Sequence, residues 1–129
     1  MAPKDALQVS GIIPHNAKLI QVALGSDWYN LSMFMEVRFE EEVVVANTRK
    51  DGRWGKEIQE ANPYKLGGKF EVTVDFTGPK FIITMGTDGS NNIQLPNCQK
   101  TRRTEKIFVR HDLQLTLFSV TPGDKKAQG

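Results

Sequence analysis

Apolar and polar residues alternate over many short stretches of this chain, and apolar residues rarely recur at the spacing of a helix. The clearest stretch is residues 69–76, where every second position is apolar: Phe70, Val72, Val74 and Phe76. Successive side chains of a strand point to opposite faces, so this spacing places these residues on one face of a sheet. Similar patterns predict strands at residues 19–24, 32–39, 43–46, 81–85, 91–95, 107–110 and 113–120.

Glycine, proline, asparagine and aspartate lie between these stretches, where they favour tight turns. Many short strands with almost no helix signal are typical of two antiparallel sheets packed face to face. We therefore predict an all-β fold, an antiparallel β-sandwich of the jelly-roll type. The 129 residues suit a single domain, 1–129. Its ends, about residues 1–6 and 122–129, are expected to be flexible.

Composition narrows the class of function. The formal net charge is only +2, and basic residues are mostly interleaved with acidic ones, so we expect no nucleic-acid partner. No apolar run is long enough to span a membrane, and the first residues lack the apolar core of a signal peptide. We therefore expect synthesis in the cytoplasm and no membrane insertion. The single cysteine, Cys98, and the absence of a zinc-type spacing predict neither a metal site nor a cofactor.

The sequence offers no catalytic arrangement. No nucleophile and base pair or phosphate-binding loop is visible in it. The acidic run at residues 40–42 differs from the facing carboxylates of a glycosidase, because consecutive residues point to alternate sides. We predict no catalytic residues and no enzyme activity.

One segment combines the groups that a shallow sugar site needs. Asn47, Trp54 and Glu57 supply an amide, an indole and a carboxylate at fixed spacing. A pyranose has an apolar face and a rim of hydroxyls, so its site needs an exposed aromatic plane with oriented donors and acceptors. Trp54 follows a polar turn and precedes Gly55, which favours an exposed ring over a core indole. Trp28 is expected to be structural or at an edge.

With its flanking motifs, this segment resembles the galectins, leaderless β-sandwich lectins that bind β-galactosides. The resemblance covers most of the chain and rests on Gly11-Ile-Ile-Pro14, Met35-Glu-Val-Arg-Phe39, Val45-Ala-Asn47, Trp54-Gly-Lys-Glu57, Leu66-Gly-Gly-Lys-Phe-Glu-Val72, Leu95-Pro-Asn97 and Asp112-Leu-Gln-Leu-Thr116. It implies a non-enzymatic lectin for galactose-containing glycans, multivalent as a homo-oligomer (a dimer or tetramer). It also implies export from the cell without a signal peptide.

The resemblance further implies which residues contact sugar. Four positions match the family's motif: Arg38, Asn47, Trp54 and Glu57. Three positions differ, because Phe34 stands where the family has histidine, Glu36 where it has asparagine and Gln59 where it has a second arginine. The segment between Arg38 and Asn47 also looks shorter than in typical members. The family's histidine would contact the axial hydroxyl of galactose, and a phenylalanine cannot form that hydrogen bond.

These differences leave alternatives open. Glu36 and Arg38 share a sheet face with Phe34, where they either form a solvated ion pair without a role or brace one another against sugar hydroxyls. Arg38 paired with Glu57 would reproduce the interlocked pair of a lectin site. One hypothesis is a lectin whose specificity is altered by Glu36 and Gln59. The alternative is a structural or protein-interaction protein of the same fold that has lost sugar binding.

Overall fold

The computed structural model describes residues 1–86, 91–111 and 114–122, and all regular structure in these residues is β-strand. The predicted all-β class and the sandwich of two antiparallel sheets are confirmed. In chain order the strands are β1 (Ala6–Ile12), β2 (Leu19–Asp27), β3 (Asn30–Arg38), β4 (Val43–Lys50), β5 (Arg53–Trp54), β6 (Ile58–Ala61), β7 (Lys69–Phe76), β8 (Lys80–Met85), β9 (Asn91–Pro96), β10 (Lys106–His111) and β11 (Gln114–Thr121).

The strands pair into one sheet of five and one of six within the described residues. The five-stranded sheet has the order β11-β1-β7-β8-β9. The six-stranded sheet has the order β10-β2-β3-β4-β5, and β6 also pairs with β4. β11 is therefore an edge strand of the five-stranded sheet, and β10 is an edge strand of the six-stranded sheet.

The main core lies between the two sheets. The alternating residues of β7 are buried as predicted, and Phe76 stacks on Phe81 of β8 with ring centroids 4.4 Å apart. Val22 of β2 and Met35 of β3 contribute from the opposite sheet. Burying one such side chain contributes about 1.5–3 kcal/mol. Because β2, β3 and β4 give alternate residues to this core, their remaining side chains lie on the outer face of the six-stranded sheet.

Several strands extend beyond the sequence prediction or were missed by it. β4 continues to Lys50, past the predicted end at residue 46, because its polar second half still pairs with β3 and β5. β1 was not predicted, although Leu7 and Val9 are fully buried, because a glycine at position 11 interrupts the alternation. The short β5 and β6 were also missed. Residue 113, the first of the last predicted strand, and residues 123–129 lie outside the described part.

Two tight turns bound β4. Residues 39–42 join β3 to β4, and Glu42 adopts a left-handed backbone with φ of 58°. At the other end Asp51 and Gly52, with φ of 52° and 79°, connect β4 to β5 in the manner of a type I′ hairpin. The predicted domain limits stay a prediction. The backbone of Lys4 nevertheless donates to the Phe76 carbonyl at 2.6 Å, so the first residues contact β7.

Candidate functional site

A groove lies on the outer face of the six-stranded sheet. It encloses about 380 Å³. Its walls come from β2, β3, β4, β5 and the segments next to them. The lining residues are Gln21, Trp28, Phe34, Glu36, Arg38, Val45, Asn47, Trp54, Gly55 and Glu57. Five of the residues predicted to bind sugar therefore lie in one cavity.

Strand register brings these side chains together. Glu36 of β3 is directly opposite Gln21 of β2 on one side and Val45 of β4 on the other. Phe34 is likewise opposite Asn47. Directly opposed residues in an antiparallel pair have their side chains about 4.5–5.5 Å apart at Cβ. The predicted shared face for Phe34 and Glu36 is therefore confirmed by their position in the groove.

One half of the groove is aromatic. Phe34, only 5% exposed, has its ring centroid 4.7 Å from that of Trp54 and 6.2 Å from that of Trp28. Both pairs meet at steep interplanar angles, 61° and 75°, which is a favoured arrangement for aromatic rings. Phe34 also packs with Ala23 and Leu31 in a small cluster separate from the main core. We call Trp28, Phe34 and Trp54 the aromatic half.

The Trp54 ring is accessible and supported. It is 44% exposed, which confirms the expectation of an exposed indole. The guanidinium carbon of Arg49, its cross-strand partner, lies 5.0 Å from the Trp54 ring centroid and 5.3 Å from that of Tyr29. Cations over aromatic faces at this distance are attracted by the ring quadrupole. The groove is not lined by Arg49 or Tyr29, so this stack supports the indole from outside the cavity.

Asn47 connects the groove to the segment that carries Trp54. Its side chain is 7% exposed, its Nδ2 donates to the Gly55 carbonyl at 3.1 Å, and its Oδ1 accepts from the Thr48 backbone at 2.7 Å. A Cβ at Gly55 would lie 2.9 Å from Thr48 Oγ1, so glycine permits this close approach. A primary amide has two donors and two acceptor positions, so Asn47 keeps one N–H and one lone pair for a ligand.

The other half of the groove is charged and centred on Arg38. The Nε of Arg38 lies 3.3 Å from Glu36, and its Nη1 lies 3.5 Å from Glu41 and 3.7 Å from Glu57. Desolvation lowers the pKa of Arg38, but the attraction of Glu36, Glu57 and Glu41 outweighs it and raises the pKa above its ordinary value. The side chain of Glu36 is 16% exposed. Its pair with Arg38 is therefore half-buried in the groove rather than fully solvated. We call Glu36, Arg38 and Glu57 the charged half.

Two amides extend the charged half. Gln21 Nε2 donates to Glu36 at 3.3 Å, and Gln59 Nε2 donates to Glu57 at 2.6 Å. Gln59 does not itself line the cavity, so it reaches the groove only through Glu57. The sequence analysis did not propose Gln21, and it placed Trp28 in a structural position or at an edge rather than in the groove. The alternating position of Gln21 in β2 was the available signal, but it becomes informative only once β2 is known to adjoin β3.

No helix in the part of the chain that the structure describes is long and apolar enough to cross a membrane. No group of three or more histidine, cysteine, aspartate or glutamate residues in the described ranges could hold a metal ion.

Comparison with known proteins identifies the family. The sequence profile of the galactoside-binding lectins matches residues 1–120. The chain is 33% identical over 118 residues to the 16 kDa beta-galactoside-binding lectin of Gallus gallus, covering 88% of this chain and 86% of that protein. The crystal structure of chicken galectin 2 superposes with a TM-score of 0.86 at 22% identity, covering 93% of this chain and 92% of that one. CG-16, a homodimeric agglutinin from chicken liver, superposes with a TM-score of 0.83 at 24% identity, covering 94% and 93%.

The matched sequence profile and the fold are those of the β-sandwich lectins. The chain belongs to the galactoside-binding lectin family, the galectins.

Proposed function

We propose that this protein is a non-enzymatic lectin that binds galactose-containing glycans in the groove, with a specificity altered from that of the family motif. The observation that supports this proposal is the half-exposed Trp54 ring in one cavity with Asn47 and the Arg38–Glu57 pair. The name of the chicken relative, a beta-galactoside-binding lectin, points to the same class of ligand.

Each half of the groove has a distinct role in this proposal. The Trp54 plane stacks on the C–H face of the sugar ring. The free N–H of Asn47 and the donors of Arg38 bind ring hydroxyls, and Glu57 accepts from them. Glu36, which stands where the family has asparagine, accepts a hydrogen bond from a sugar hydroxyl. Gln59 tunes the site indirectly, because its amide fixes one Glu57 oxygen at 2.6 Å.

Phe34 is the main reason to expect altered specificity. It lines the groove and has only carbon atoms in its side chain to offer a ligand. A lost hydrogen bond costs about 0.5–1.5 kcal/mol when the orphaned group stays solvated. A galactoside should therefore bind more weakly here than at a site that forms a hydrogen bond with the axial hydroxyl of galactose.

Multivalency would compensate for a weak single site. The edge strand β11 exposes apolar side chains, with Phe118 at 45%, Leu117 at 41% and Val120 at 38%. Such an edge has unpaired backbone groups and favours pairing with another strand. Together with the homodimeric chicken agglutinin, this supports a homo-oligomer, a dimer or tetramer. Sedimentation velocity tests it, and we expect a species larger than 14.5 kDa. We place the protein in the cytoplasm and also outside the cell.

A second candidate function follows from the same Phe34. Its ring contacts Trp54 at 4.7 Å and fills part of the groove. This favours the alternative that the chain is a structural or protein-interaction member of the family that has lost sugar binding.

Lactose titration separates the two candidates. We expect tryptophan fluorescence to change on titration to tens of millimolar lactose, because both tryptophans line the groove. A matched Trp28→Phe variant leaves only the Trp54 signal, and sucrose controls for bulk effects. An unchanged signal from both proteins in the folded state would contradict lectin activity toward plain galactosides. A glycan array then compares the wild-type protein with Glu36→Asn. If Glu36 contacts the sugar, this substitution should shift the glycan preference.

A further inference from the structure

The charged half of the groove continues into a second cavity. This cavity encloses about 330 Å³ and shares Glu36 and Arg38 with the groove. The tight 39–42 turn adds Glu40 and Glu41 to its wall, and Lys18, the residue before β2, also lines it. The short turn thus leaves the groove open at this end and lines the opening with carboxylates.

Acidic groups outnumber basic ones across the two cavities. Their combined lining contains four carboxylates, including Glu57, and two cations, a local formal charge of −2. The whole chain carries +2. The sign of the charge at the groove is therefore opposite to that of the protein.

Two of the three guanidinium nitrogens of Arg38, Nε and Nη1, are directed at its own carboxylates. Glu36, Glu41 and Glu57 all lie within 3.7 Å of the guanidinium. A carboxylate can only accept hydrogen bonds, so this half of the groove offers mainly acceptors to a ligand. Neutral sugar hydroxyls and protonated amines can donate to it, whereas sulfate and carboxylate groups cannot.

The aromatic half strengthens the preference for neutral or cationic ligands over anionic ones. Trp28, Phe34 and Trp54 provide an apolar wall beside the charges. Displacing water from such a site lowers the local dielectric, and charge interactions become stronger than in bulk solvent. An anionic substituent would therefore face like charges that solvent and salt screen only in part.

We propose that the groove selects its glycans by charge, binding neutral or amine-bearing galactosides and disfavouring those with sulfate or carboxylate groups. This inference rests on the proposed galactoside binding and names the substrate class within it.

Matched pairs of ligands test the selection by calorimetry. Lactose is compared with 3′-O-sulfated lactose, and N-acetyllactosamine with its de-N-acetylated amine at a pH where the amine is protonated. For a charge interaction at a partly screened surface, we expect at least about threefold tighter binding of lactose than of its sulfate, and of the amine than of the N-acetyl form. Both ratios should approach one at about 1 M salt, where the Debye length is about 3 Å.

Charge-neutral variants identify the residues responsible. Glu36→Gln and Glu41→Gln should each reduce both affinity ratios. The side chain of Glu41 is 63% exposed, so its variant should fold even if Glu36→Gln does not. Glu105→Gln is the control, because this exposed residue precedes β10 and does not line either cavity. It should keep the wild-type ratios.

The outcomes distinguish the two levels of the proposal. In a first set of outcomes, lactose binds, but either the two ligands of each matched pair bind equally or the sulfate binds more tightly than lactose. Either result would show that charge selection is wrong and would leave galactoside binding intact. If the folded protein binds no member of the panel, galactoside binding is wrong and charge selection fails with it. Ratios that survive both glutamate variants unchanged also overturn the assignment to these carboxylates.

Discussion

The two halves of the groove are stabilised by different forces. In the aromatic half, Phe34 is wedged between Trp28 and Trp54, while Arg49 stacks on the outer side of the indole. In the charged half, Arg38 links carboxylates from β3, from the 39–42 turn and from the segment after β5. Ring packing is nearly insensitive to salt, whereas partly exposed ion pairs are screened. Under the proposed function, the aromatic half fixes where a sugar lies, and the charged half decides which sugar is accepted.

The largest expected effect comes from removing the Trp54 ring, on which the sugar is proposed to stack. Trp54→Ala should weaken lactose binding by at least about tenfold, which corresponds to about 1.4 kcal/mol. The free energy of unfolding should fall only by about 0.5–1.5 kcal/mol, the value of an aromatic pair. Calorimetry and urea unfolding measure both quantities. Unaltered affinity together with a large loss of stability would identify Trp54 as a packing residue instead.

Restoring a hydrogen-bonding ring should strengthen binding at the expense of packing. Phe34→His should raise lactose affinity by about two- to tenfold, the effect of one hydrogen bond of about 0.5–1.5 kcal/mol. It should lower stability by about 1–3 kcal/mol, because a polar ring enters an apolar cluster. The control, Phe34→Leu, removes the aromatic contacts without adding a donor and should give no gain. Equal affinities for the two variants would show that the hydrogen bond is irrelevant.

A smaller effect is expected from the residue that supports the indole. Arg49→Met keeps an apolar stem but removes the cation, and lactose affinity should fall by about two- to fivefold, or about 0.5–1 kcal/mol. The emission maximum of Trp54, measured in a Trp28→Phe background, should shift. Arg53→Met is the matched control, since Arg53 is an exposed neighbour of Trp54 in β5. The same loss in both variants would indicate a general charge effect rather than support of the ring.

The smallest effect distinguishes the two halves by salt. A double-mutant cycle of Glu36→Gln and Arg38→Met should give a coupling energy of about 0.2–1 kcal/mol that decreases as salt is raised. A parallel cycle of Phe34→Leu and Trp54→Ala should give a coupling energy of about 0.5–1.5 kcal/mol that salt leaves unchanged. Thermal unfolding at low and high salt provides the stabilities. Equal salt dependence in both cycles would show that the two halves do not differ as described.

Local alternation was sufficient to predict most of the fold. The buried face of β7 follows directly from its every-second-residue pattern. β1 and β5 were harder, because β1 is interrupted by glycine and β5 has only two residues. The polar half of β4 was missed because its side chains are stabilised by neighbours from other strands rather than by their own pattern.

The site was predictable in part for a related reason. Spacing along the chain placed Phe34, Glu36 and Arg38 on one face. The polar turn before Trp54 indicated an exposed ring, and the resemblance to the family then matched that residue to a sugar-binding motif. The places of Gln21 and Trp28 in the groove depend on which strands are neighbours and in what register. Such pairings join residues far apart in sequence, and a single sequence carries no signal for them.

The double attachment of Asn47 has a practical consequence for redesign. Its amide donates to the carbonyl of Gly55, the residue after Trp54, and accepts from the backbone of Thr48 in β4, so it ties the segment that carries the indole to β4. A screen that randomises position 47 would therefore change the position of Trp54 as well as the side chain at position 47. A loss of binding in such a variant would not by itself show that a contact between residue 47 and the sugar was lost. Engineering of new glycan preferences on this scaffold should keep this asparagine fixed and vary Phe34, which is opposite it on β3, and the groove position Gln21 on β2.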